Sequence, residues 1–73
     1  MYEEIAAQIR QAARNRNKLA TFHYLVLINA DLLADVNPID FCRQVGMGDS
    51  FATEFRKMIG LAKLMEERGV RIS

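Results

Sequence analysis

Apolar residues recur at helical spacing in four runs, and no stretch alternates convincingly as a strand would. In the first run Tyr2, Ile5, Ala6, Ile9, Ala12 and Ala13 predict a helix from about Tyr2 to Asn15. Glu3 and Glu4 stand at its electropositive start and Arg14 near its electronegative end, as the helix macrodipole favours. "NRNK" at 15–18 reads as a turn. The second run predicts a helix from about Leu19 to Ala34, with Asp35 and Val36 leading out of it. Phe22, Leu25, Val26, Leu32 and Leu33 make one face, and Tyr24, Leu27 and Ile28 lie round the other side. A helix apolar nearly all round is covered on both sides. A chain of 73 residues has few helices with which to do this.

"NPID" opens a third helix. Asn37 is a favoured N-cap, and Pro38 at the first helical position loses no needed hydrogen bond. Ile39, Cys42 and Val45 recur every three residues, Phe41 fills the stripe, and Gly46 ends the helix where a left-handed residue is usual. After the Met47-Gly48 turn, Ser50 or the adjacent Asp49 is expected to cap a fourth helix. Phe51, Phe55, Met58, Ala62 and Met65 form its seam, Ala52 and Ile59 widen it, and Gly69 ends it. "VRIS" is a short tail. The expected fold is all-α: one compact four-helix domain over residues 1–73, without repeats or internal linkers.

The third and fourth runs meet in a pattern with physical content. Cys42 is small enough for two helices to approach closely. Four residues on, Gly46 takes φ > 0 without steric cost. Met47 follows as an apolar plug, and Ala52 and Phe55 fall where the next helix turns inward to seal the corner. Over residues 38–59 this resembles helix-turn-helix DNA-binding domains at superfamily level. The resemblance implies a corner built by the third and fourth helices. It implies that Gly48, Asp49, Ser50, Thr53, Glu54 and Lys57 face the groove of a duplex. Asp49 and Glu54 depart from what phosphates favour, although an acid can accept a hydrogen bond from cytosine. No arginine stands at the tip of the fourth helix to read guanine, and about 18 residues is long for a recognition helix.

Net charge is only +1, so the chain lacks the strong overall basicity of many nucleic-acid binders. Its distribution is uneven. Residues 10–18 carry Arg10, Arg14, Arg16 and Lys18 and no acid; residues 19–54 carry five acids against Arg43 alone; residues 55–73 carry five cations against Glu66 and Glu67. Phosphate contacts are therefore expected from Arg10, Arg14, Arg16, Arg43, Lys57 and Lys63, with Ser50, Thr53 and Lys57 nearest base edges. Solvated helix faces give the same tally.

A hydrophobic share of 51% exceeds what so small a core needs and points to a second copy. Tyr24, Leu27, Ile28, Gly60 and Leu64 lie off the seams and are the expected dimer interface. Glycine inside a helix costs about 1 kcal/mol relative to alanine, which a closely packed second helix would explain. One cysteine and one histidine make neither a disulfide nor a closed zinc site. His23 reads as a boundary side chain and Cys42 as a small buried hydrophobe. The longest uncharged run, Leu19 to Ala30, is 12 residues, too short to span a bilayer. With a lone thiol and no export signal, the expected setting is the cytoplasm. No paired carboxylates, metal ligands, phosphate loop or triad can be found, so neither an enzyme nor a cofactor is expected. The expected function is a small DNA-binding or transcription-regulatory protein acting as a homodimer, with double-stranded DNA and a second copy as partners, and no membrane or metal. The alternative is a protein-interaction module or small subunit without nucleic acid.

Overall fold

The computed structural model describes residues 2–12 and 17–71. Those residues form five α-helices and no strand: α1 (Glu3–Ala12), α2 (Lys18–Ile28), α3 (Ala30–Leu33), α4 (Pro38–Gln44) and α5 (Ala52–Glu67). A 3-10 turn, Asp49–Phe51, leads into α5. The expected end of the first helix at Ala13 to Asn15 lies outside the described residues.

The second expected helix is interrupted. At Asn29 the backbone leaves helical geometry (φ −110°, ψ 21°), and α3 starts at the next residue. The Asn29 side-chain amide donates to the Leu25 carbonyl at 2.8 Å, an acceptor its own backbone N–H also uses. Asparagine competes with the helical ladder in this way, which apolar periodicity alone does not reveal. Beyond the break Leu33 is fully buried while Leu32 is 45% exposed, so Leu32 does not join the core face expected of it.

Asn37 caps α4 as expected, its side-chain oxygen accepting from the backbone N–H of Ile39 (2.9 Å) and Asp40 (3.1 Å). Ile39 is exposed rather than part of the buried stripe, because Phe41, Cys42 and Val45 already fill that face. The two helix-ending glycines have positive φ, 76° at Gly46 and 70° at Gly69. Each closes its helix in the same manner. Met47 N–H reaches the Cys42 carbonyl and Gly46 N–H that of Arg43; Val70 reaches Met65 and Gly69 reaches Glu66. This paired closure uses carbonyls the helix leaves without partners. Neither Ser50 nor Asp49 caps α5 through its side chain. The 3-10 turn does the work instead, with Phe51 N–H on the Gly48 carbonyl at 3.0 Å.

One core joins all five helices. It contains Ile5, Ala6 and Ile9 of α1, Phe22, Leu25 and Val26 of α2, Leu33 of α3, Phe41, Cys42 and Val45 on α4 and its end, and Ala52 and Phe55 of α5. Phe41 is its hub. Its ring centroid lies 5.1 Å from that of Phe55, 5.2 Å from Tyr2 and 6.0 Å from Phe22. Each fully buried Phe, Ile, Leu or Val of this core contributes about 1.5–3 kcal/mol of transfer free energy. The core thus fastens α4 and α5 to the α1–α2 pair and fixes the corner between them.

Candidate nucleic-acid interface

The corner has the geometry its sequence promises. Cys42 is fully buried, Gly46 is left-handed, Met47 is half-buried against the core, and Ala52 and Phe55 are buried. Burial pushes the Cys42 thiol above its ordinary pKa, with the nearby Asp49 charge adding to this. That is the setting of an inert packing residue, since a reactive thiol needs the opposite shift.

Outside the corner, Gly48, Asp49, Ser50, Thr53, Arg56 and Lys57 are exposed and Glu54 is half-buried. The two acids are compensated. Arg43 meets Asp49 through two hydrogen bonds, Nε to Oδ1 at 3.1 Å and an NH2 nitrogen to Oδ2 at 3.0 Å. The Arg43 guanidinium thereby holds the Asp49 carboxyl below its usual range. The Glu54 carboxylate accepts from His23 Nε2 at 3.0 Å and from Lys57 Nζ at 3.2 Å. These two hydrogen bonds, that of His23 first, lower its pKa. The His23 bond ties α2 to the outer side of α5. Nothing local in the sequence announces it, because the partners are 31 residues apart.

Two more cations reach the corner from elsewhere. Arg10 of α1 donates to the Gln44 carbonyl at 2.7 Å, and Lys18 of α2 to the Gly46 carbonyl at 3.3 Å. Both serve the electronegative end of α4, where cations are favoured. Arg10, expected among the phosphate contacts, is thus engaged with backbone, and nothing in the spacing of the chain points to the role of Lys18. Arg14 and Arg16 lie outside the described residues. Arg43, Ser50, Thr53 and Lys57 come together on the corner, and Arg56, exposed and without an ion pair among the described residues, joins them. Lys63 does not. It lies about 15 Å along the helix from Thr53, at 1.5 Å per residue, and lines a groove between α5 and α3.

That groove has a volume of about 600 Å³ and an apolar floor of Leu27, Ile28, Ile59, Ala62, Met65 and Val70. The expected dimer residues divide around it. Leu27 and Ile28 line it, Tyr24 is exposed on α2, and Gly60 and Leu64 lie on the exposed outer face of α5. No helix among the described residues is long and apolar enough to cross a membrane. No group of three or more His, Cys, Asp or Glu among them could hold a metal ion.

The corner and the core behind it define an all-α helix-turn-helix domain. The chain belongs to the HTH-like domain family, whose family model matches residues 1–68. DNA binding or regulation is the general expectation for such a domain, and enzymes are not typical of the family. No curated protein and no solved structure matches the chain.

Proposed function

We propose that the domain binds double-stranded DNA through the α4–α5 corner and acts as a homodimeric regulator of transcription in the cytoplasm. The observation that supports this reading most directly is the compensation of Asp49 and Glu54. The acids that would repel phosphates are each held by a cation of the corner, Asp49 by Arg43 and Glu54 by Lys57, and Glu54 also by His23 of α2. On the corner three cations, Arg43, Arg56 and Lys57, stand against those two acids. Ser50 and Thr53 are the exposed hydroxyls nearest base edges, and Arg43, Arg56 and Lys57 flank them for phosphate contact. When a phosphate arrives, Lys57 can exchange the Glu54 carboxylate for it while His23 keeps Glu54 occupied.

The reading is tested by a mobility shift with nonspecific duplex at about 50 mM salt and about 50 µM protein, conditions that capture ordinary nonspecific affinities. A shift that fades as salt rises is the expected result. Its absence at low salt would favour the alternative, a protein-interaction module using the apolar groove. The modest net charge of +1 is the observation that keeps this alternative in view.

A further inference from the structure

We infer that the α2/α3–α5 groove, rather than the outer face of α5, is where a second copy of this chain docks, with Asp31 of each copy facing Lys63 and Arg71 of the other. This rests on the homodimer reading above and fixes which surface makes the dimer.

The outer face of α5 is unsuited to the task. Thr53, Lys57, Gly60 and Leu64 follow one another at four-, three- and four-residue steps, so they share one face of the helix. In an isologous contact the same surface meets itself across a two-fold axis. A face so used points in opposite directions in the two copies. Two corners on one duplex must instead point the same way, along the axis. Gly60 and Leu64 therefore cannot carry the symmetric contact while Thr53 and Lys57 of both copies read one duplex.

The groove lies on another side of α5 and carries its own complementarity. Its α3 wall is acidic, with Asp31 on the lining and exposed Asp35 just beyond. Its α5 wall carries Lys63, and Arg71 follows from the tail, with Glu66 the one acid on that side of the lining. Asp31, Lys63 and Arg71 make no ion pair among the described residues. A two-fold contact sets the acidic wall of one copy against the basic wall of the other, twice. Beside the groove, exposed Tyr24 and Ile28 stand one turn apart on α2 as an apolar ridge, exposed Leu32 follows beyond the break on α3, and Ile28 belongs to both ridge and groove. A two-fold axis near Ile28 places each ridge in the opposite groove. A small ligand fits less well. Sites for small molecules are mostly enclosed and hold a few convergent polar groups, whereas the charges lining this groove are on exposed residues, Asp31, Lys63, Glu66 and Arg71.

The test is sedimentation equilibrium on the full chain and on Asp31→Lys and Lys63→Asp, which reverse one wall each. Wild type should sediment at twice 8.3 kDa. In each variant alone residue 31 meets a like charge at residue 63 of the other copy, twice, and the variant should sediment as a monomer. An equimolar mixture restores both opposite-charge pairs and should sediment as a dimer. Leu64→Asp should leave the wild-type mass unchanged. A monomeric wild type would defeat the homodimer reading itself. A dimeric wild type broken by Leu64→Asp, or a mixture of folded variants that stays monomeric, would defeat only the groove. Amide shifts of wild type on dilution give an answer that needs no variant. Changes at Leu27, Ile28, Asp31 and Val70 support the groove, and changes confined to Leu61 and Leu64 overturn it.

Discussion

Two glycines of similar appearance do different things. Gly46 is held at φ 76° because the chain must reverse between Val45 and Met47, both committed to the core. A Cβ there would meet no close atom, the nearest being Lys18 Nζ at 3.6 Å, so the constraint is backbone conformation rather than space. Gly46→Val should destabilise by about 1–3 kcal/mol, because a β-branched residue fits the left-handed region poorly. In a domain this size each kcal/mol lowers Tm by about 4–8 °C. An unchanged melting curve would remove the claim. Gly60 has no such role. It lies inside α5, and an added Cβ would find no neighbouring atom within 4 Å. Gly60→Ala should therefore stabilise by about 1 kcal/mol, the propensity difference alone. It should leave the dimer intact if the groove forms it. A weakened dimer would instead mean that a second helix packs closely against this residue.

At the scale of elements, the ends of helices are legible in the sequence and their interruptions are not. Asn37-Pro38, Gly46 and Gly69 mark ends because capping chemistry is local. The break at Asn29 is hidden because its side chain competes for a carbonyl inside an otherwise apolar run, where periodicity predicts a continuous helix. Bonds between elements are equally hidden. His23–Glu54 joins α2 to α5, and Arg43–Asp49 joins α4 to the turn before α5. These links give the fold an acid dependence whose sign is fixed. Both carboxyls are held below their ordinary values, Glu54 first by the His23 hydrogen bond and Asp49 first by that of Arg43. The unfolded chain therefore takes up protons before the folded one does. The stability these groups contribute is complete above the ordinary carboxylate values, about 4, and is lost as pH falls through the lower folded values. Tm should fall between about pH 5 and pH 3. The double variant Glu54→Gln with Asp49→Asn should show a shallower fall. An identical slope in wild type and variant would mean that neither pair matters. The effect is expected to be small, because exposed pairs contribute little.

For the whole molecule, the sequence is sufficient for an all-α fold and for the corner, since Cys42, Gly46, Met47, Ala52 and Phe55 each act through packing or backbone. It says less about which charges gather. Arg10 and Lys18, which read as phosphate ligands or solvated face, turn to the carbonyls of Gln44 and Gly46, and Lys63 belongs to the groove. Such partnerships depend on tertiary distance, which spacing along the chain does not encode. The electrostatics of binding can now be stated for the assembled protein. Each phosphate neutralised adds about −0.9 to the slope of log affinity against log salt. Lys57 stands on the outer face of α5 beside Thr53, so one seated corner uses it once and a two-fold pair uses it twice. Lys57→Ala should then reduce the magnitude of the slope by about 1.8 for a dimer with both corners on one duplex, and by about 0.9 for a lone corner. Lys63→Ala, on the groove wall, should change it little. Titrations of wild type and both variants from about 50 to 200 mM salt measure all three slopes. If Lys63→Ala flattens the slope and Lys57→Ala does not, the duplex lies along the groove side of α5, and the corner is a scaffold rather than a reader.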